Sequence, residues 1–238
     1  AIFGFSITLL VISTSVPSTY LELQASMYSF IGFVFCIMLL LSIWSSHQRF
    51  FLYYGLQDST SKMLNFLFLF ILLFYVYPLK YLFSYLGTVI YANFKVRLGD
   101  QSAALQLVRE QVENSVLKLD EWVDIMVRFG LGLLLIYLCF LLLYVHAYKR
   151  SSTLKLNKRE RYITKTAIQR FGILISICTL SIAMAVFLPA EKVSLSGTCY
   201  ILIPLLLLGH KYYRKRRLST LLPTGPVAKQ EPKVGEGE

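Results

Sequence analysis

Met27–Trp44 reads MYSFIGFVFCIMLLLSIW, eighteen residues without one charged side chain. An apolar run of about 18 residues or more is long enough to cross the hydrocarbon of a bilayer as a helix. The pattern recurs along the chain. Met63–Tyr77 continues to Tyr91, and further runs cover Phe129–Tyr148, Phe171–Leu188 and Leu195–Gly209. Ala1–Pro17 is uncharged as well. The chain of 238 residues is 56% hydrophobic and 16% charged, with a mean hydropathy of +0.59. A soluble domain carries roughly 25% charged residues. The expected fold class is therefore all-α, a polytopic membrane protein with six transmembrane helices. A secretory signal peptide is the rival reading of Ala1–Pro17, but the segment has no basic n-region, and Val16-Pro17 is a poor cleavage site.

Charge sets the orientation. The net charge is +11, and Lys149, Arg150, Lys155, Lys158, Arg159, Arg161, Lys165 and Arg170 crowd one connection against a single acid, Glu160. Lys211, Arg214, Lys215, Arg216 and Arg217 follow the last run. By the positive-inside rule both regions are cytoplasmic, and so are both chain ends. Ser18–Ala25 is then external, while His47, Arg49 and Lys62 lie on a cytoplasmic loop. Four regions follow: 1–92, the first three spans; 93–125, an external amphipathic connection; 126–218, the last three spans; and 219–238, a tail rich in Pro, Gly, Lys and Glu that reads as disordered. In the connection, Leu105, Val108, Val112, Val116 and Leu119 recur at helical spacing. They fit either an extension of a neighbouring span or a helix packed on another subunit.

Basic clusters beside membrane spans fit topology and contact with anionic lipids better than nucleic-acid binding. The cysteines Cys36, Cys139, Cys178 and Cys199 fall singly in apolar runs and read as small buried hydrophobes. No phosphate loop, nucleophile elbow, metal-ligating His/Glu pattern or paired-carboxylate constellation occurs, so neither an enzyme nor a metal or other cofactor is expected. Gly87-Thr88-Val89-Ile90-Tyr91 lacks the second glycine of a carbonyl selectivity filter.

Ala1–Pro17 is unusual for a lipid anchor because Ser6, Thr8, Ser13, Thr14 and Ser15 place hydroxyls among apolar residues. At about 100° per residue, Ile2, Phe5, Leu9, Ile12 and Val16 form one narrow stripe. Ser6 and Ser13 flank it on one side, Thr8 and Ser15 on the other. One reading is helix–helix packing, with hydroxyls bonding across or back to the preceding turn. The other is a pore lining in which apolar rings narrow the path. Trp44, in the cluster Trp44-Ser45-Ser46-His47-Gln48-Arg49, and the later Asn65 fall near the common end of two antiparallel spans, where polar atoms are costly unless partnered. Singly they read as an interfacial anchor and an ordinary interhelical hydrogen bond, together as a polar clamp on the first span.

These residues resemble a known family. The stretch from Ala1-Ile2-Phe3-Gly4-Phe5-Ser6 through Val16-Pro17 is similar to the segment after the Phe-Ser-Asp signature of the lysosomal-type potassium channels, whose bacterial members have six helices. Trp44-x-x-His47 with Arg49-Phe50, the Leu64-Asn65 pair and Pro78 resemble the second and third helices of that family. The resemblance covers roughly residues 1–86, and the signature itself would precede Ala1. It implies a homotetramer with potassium as the permeant ion and no carbonyl filter. The first span would line the pore, with Phe5, Leu9 and Ile12 as apolar constrictions. Thr8, Ser6 and Ser13 would be its polar positions, and Trp44, His47 and Asn65 a scaffold that holds it. Phe5 departs from the smaller Ile or Leu usual there. The expected location is a bacterial inner membrane, or an endosomal or lysosomal membrane in a eukaryote.

Two further classes stay open from the residues alone. A secondary transporter should show broken helices and ionisable groups at the midplane, and only Lys80 approaches that. A non-conducting membrane scaffold would use the basic loops for lipid or partner contact. A proton or cation leak is a further alternative, because a histidine such as His47 titrates near neutral pH.

Overall fold

The computed structural model describes residues 4, 17–114, 119–189 and 192–221. No strand occurs among them. Helix α1 (Tyr20–Ser26) leads through a 3-10 turn, Met27–Ser29, into α2 (Phe30–Tyr54). A turn at Gly55 connects α2 to α3 (Ser59–Arg97). Then follow α4 (Ala103–Asn114), α5 (Leu119–Lys149), α6 (Lys158–Phe187), a short α7 (Ser194–Thr198) and α8 (Leu202–Leu221), the last two joined by the 3-10 turn Cys199–Ile201.

Four helical segments among the described residues are long and apolar enough to cross a membrane: Tyr20–Tyr54, Ser59–Arg97, Glu121–Lys149 and Lys158–Phe187. Leu195–Gly209 is helical as well, in two pieces. The remaining expected span, Ala1–Pro17, lies almost entirely outside the described residues, apart from helical Gly4 and Pro17.

Ends are set locally. Gly55 takes the left-handed conformation at φ 56°, and its N–H donates to the Phe51 carbonyl, which closes α2 where a side chain would be strained. Asn157 and Glu160 form a reciprocal capping box at the start of α6, satisfying two otherwise open donors. The membrane layer is a row in which α2 packs on α3, α3 on α5, α5 on α6 and α6 on α8. Each helix contributes one stripe. Cys36, Leu40, Ile43 and Phe50 of α2 meet Phe68, Leu72 and Leu79 of α3, and Phe140 of α5 is enclosed between Phe68 and Phe171. Close approach of α2 and α3 depends on glycine: a Cβ on Gly32 would overlap the Phe83 carbonyl, and one on Gly87 would overlap the Gly32 backbone. Small residues at crossings are how membrane helices gain packing without a hydrophobic drive between them.

Several boundaries differ from the sequence expectation. Ser18–Ala25 is mostly helical: the Glu22 N–H donates to Thr19 Oγ1 at the helix start, and Ser18 donates twice to the Glu22 carboxylate at 2.8 Å. Helix α3 runs to Arg97, past the expected border at 92, and stops at Gly99 with φ 76°. Lys158, Arg159, Arg161, Lys165 and Arg170 lie on α6 itself, so the basic connection shrinks to 150–157. At the other end α8 continues to Leu221, beyond 218. The amphipathic connection forms a separate helix, α4, which buries Ala104, Leu105 and Val108 on Ala25, Tyr28 and Ala92 of its own chain. It is neither a straight extension of a span nor dependent on a second subunit for that face. Val116 lies outside the described residues.

Candidate pore and its supporting network

Phe5, Leu9 and Ile12, together with Thr8, Ser6 and Ser13, lie outside the described residues. The residues expected to hold them, Trp44, His47 and Asn65, are among the described ones. His47 on α2 and Asn65 on α3 face each other across the antiparallel pair, Nε2 to Oδ1 at 2.7 Å. An amide oxygen only accepts, so in this pairing the imidazole Nε2–H donates. The ring stacks on Phe68 at 5.0 Å between centroids and leans on Phe51 at 4.8 Å. Phe68 is fully buried, so the imidazole is held against a fixed wall. Trp44 behaves differently: it stands three residues before His47 and leaves 41% of its surface open. The structure thus joins two of the three predicted scaffold residues and presents the third outward.

Lys80 lies in a groove with Tyr77, Tyr81 and Tyr85 of α3 and with Gln111 and Val112 of α4. Contact with α4 places it toward the α4 end of α3. Helix α3 also continues unbroken through Pro78.

Sequence reading missed a polar node at the opposite end of the fold. Asp58 precedes α3, and its carboxylate accepts from Ser61 Oγ at 2.8 Å and from His146 Nε2 of α5 at 2.8 Å, with Arg150 Nη1 at 3.9 Å. Cover by neighbouring atoms raises the Asp58 carboxyl, but the Ser61 and His146 hydrogen bonds and the His146 and Arg150 charges outweigh it and hold the group at about 2. Nearby, the Thr164 hydroxyl donates to the Glu160 carbonyl at 2.8 Å, which leaves Tyr54 as donor in the buried 2.8 Å bond between Tyr54 and Thr164. These two contacts tie the α2–α3 turn to α5 and α6. Eighty-eight residues separate Asp58 from His146, and no local motif announces such a pair.

Arg214 ties α8 to α6. Its Nε and Nη2 donate to Thr166 Oγ1 at 2.9 and 2.8 Å, and its guanidinium lies 3.8 Å from the Tyr162 ring centroid. Among the described residues no group of three or more His, Cys, Asp or Glu side chains is placed to hold a metal ion.

A protein named "Potassium channel" from Marivirga tractuosa is 38% identical to this chain over 220 residues, covering 91% of the chain and 85% of the relative. The family model described as "Endosomal/lysosomal potassium channel TMEM175" matches residues 1–75. The chain belongs to the TMEM175 family of potassium channels. Among solved structures, a variant of the potassium channel MtTMEM175, crystallised with a nanobody–MBP fusion protein, superposes with a TM-score of 0.72 at 33% identity, over 90% of each chain. The TMEM175 match includes the opening span and all of Trp44, His47 and Asn65. The relatives are potassium channels and not enzymes, as the residue patterns led us to expect. Their likeness also carries the helical membrane fold and potassium as the permeant ion of the family.

Proposed function

We propose that this chain is one subunit of a potassium-permeable channel in which four copies surround an axis and the opening span lines the path. In this reading Phe5, Leu9 and Ile12 form apolar rings, and Thr8, Ser6 and Ser13 supply hydroxyl oxygens to a partly dehydrated cation. Apolar constrictions resist wetting and so gate conduction without a carbonyl filter. Residues 1–92 then form the pore-bearing unit, 93–125 an outer connection, 126–218 the supporting spans and 219–238 a cytoplasmic tail. The basic ends face the cytoplasm of a bacterial inner membrane, where Lys and Arg meet anionic lipid.

One observation carries the reading. The family match falls on residues 1–75, the segment that holds the hydroxyl-rich span, and within it the His47–Asn65 bond fixes α2 against α3 at 2.7 Å. The exposed faces of these helices support it further: Phe35, Met38, Leu41 and Trp44 on α2, with Phe66 and Phe70 on α3, offer apolar surface to a span or a neighbouring copy. A secondary transporter is disfavoured by the unbroken course of α3 through Pro78, since broken helices at the midplane are the mark of that class.

The test is potassium flux into liposomes. Leu9→Ala and Ile12→Ala should each change potassium flux severalfold and shift the potassium-over-sodium preference. Unchanged flux and preference in both variants would remove the opening span from the pore.

A further inference from the structure

A groove of about 710 Å³ runs between α6 and α8. Ile173, Ile177 and Leu180 line one side, Leu202 and Leu206 the other. Leu180, Leu202 and Leu206 are each more than 40% exposed. Gly172 opens the wall, because a Cβ there would meet nothing within 4 Å. One end of the groove is chemically different. Gln169, His210, Arg214 and Arg217 gather there, and the charges of Arg214 and Arg170 both reach the His210 ring. Arg214 is fixed by Thr166, whereas Arg217 is exposed. The ion pairs among the described residues are Lys95–Asp100, Arg128–Asp124, His146–Asp58 and Arg150–Asp58. None supplies a carboxylate to this end of the groove.

An apolar trench with cations at one end matches an amphiphile with an anionic head. We propose that the groove binds one anionic phospholipid, an acyl chain lying between α6 and α8 and the phosphate against Arg217, His210 and Arg214. A zwitterionic lipid fits less well, because among the described residues no acid lines the groove to face its ammonium. The proposal rests on the membrane placement of the chain and not on which helix lines the pore.

The test is native mass spectrometry of the full-length, detergent-purified protein with phosphatidylglycerol or phosphatidylcholine added. Phosphatidylglycerol should be retained at one copy per subunit, in preference to phosphatidylcholine. Removing one interfacial cation in Arg217→Gln should weaken retention about fivefold. Gly172→Leu should block the trench, and equal thermal stability of that variant would show that it is folded. Equal binding of the two lipids, or undiminished phosphatidylglycerol binding in both variants, overturns the proposal. So does a site that appears only after residues 222–238 are deleted, because Glu231, Glu236 and Glu238 would then be its anion. Loss of the lipid specifically in assembled oligomers would assign the groove to a neighbouring copy and overturn it too. A flux-silent protein that still selects phosphatidylglycerol would defeat the channel reading alone.

Discussion

The segment Tyr20–Tyr54 and the helix Glu121–Lys149 are both long, apolar spans, yet the structure uses them differently. In its most apolar stretch α5 hides 44% of residues inside the fold, whereas the Tyr20–Tyr54 segment hides 28%. Helix α5 sits between α3 and α6, and its Phe140 is fully enclosed by rings from both. Helix α2 touches α3 along one stripe and turns Phe35, Met38, Leu41 and Trp44 outward. Apolar composition settles that a helix leaves water, but not what it meets there. One region is the fixed interior of the described fold, and the other is apolar surface that the described residues leave open.

The sharpest way to break that contrast is a matched pair of truncations. Phe140→Ala should destabilise the protein by about 3–5 kcal/mol, as for other buried aromatic residues. Phe35→Ala, at a site 56% exposed, should stay within about 0.5 kcal/mol when single chains are studied. Thermal unfolding in detergent measures both. If Phe35→Ala costs as much as Phe140→Ala only in the assembled protein, the outward face of α2 is an interface between copies. Equal costs in single chains would erase the distinction.

A smaller effect probes the close crossing of α2 and α3 at Gly32. Gly32→Leu has no room beside the Phe83 carbonyl and should cost about 1–3 kcal/mol through forced separation of α2 from α3. Gly172→Leu, a chemically identical change into open space, should leave thermal stability unchanged. A harmless Gly32→Leu would mean that the two helices do not approach through glycine.

Much of this was legible from residue order. Uncharged runs located the four long spans of the described residues, and the spacing of Leu105, Val108 and Val112 marked α4. The cost of polar atoms at that depth marked Asn65 as needing a partner, although the residue reading set Trp44 beside it where the structure sets His47. Other features were hidden for physical reasons. Lipid tails and leucine side chains are equally apolar, so hydropathy cannot tell the enclosed Phe140 from the exposed Phe35. The same ambiguity concealed that α4 covers its own chain. Helix ends were misjudged where charged residues continue a span into water: Lys158 to Arg170 looked like a loop by charge, yet helical hydrogen bonding and the Asn157–Glu160 box carry α6 through them. The Asp58–His146 pair joins residues far apart in sequence, and only the packing of α3 on α5 makes them neighbours.

That pair also offers the finest test, because it is a polar tie between the loosely and the tightly packed regions. The Asp58 carboxyl sits at about 2 against an ordinary value of 3.8. A carboxyl lowered in the folded state stabilises the fold above its unfolded value and loses that contribution as pH falls toward the folded one. Asp58→Asn should therefore cost about 1–2 kcal/mol near neutral pH. Below pH 3.8 the difference between Asp58→Asn and the parent should shrink, and near pH 2 it should be small. Thermal unfolding of the two proteins across that range decides the matter. A gap that persists unchanged into acid would mean that the Ser61 bond and the cap geometry, rather than charge opposite His146 and Arg150, hold the α2–α3 turn to α5.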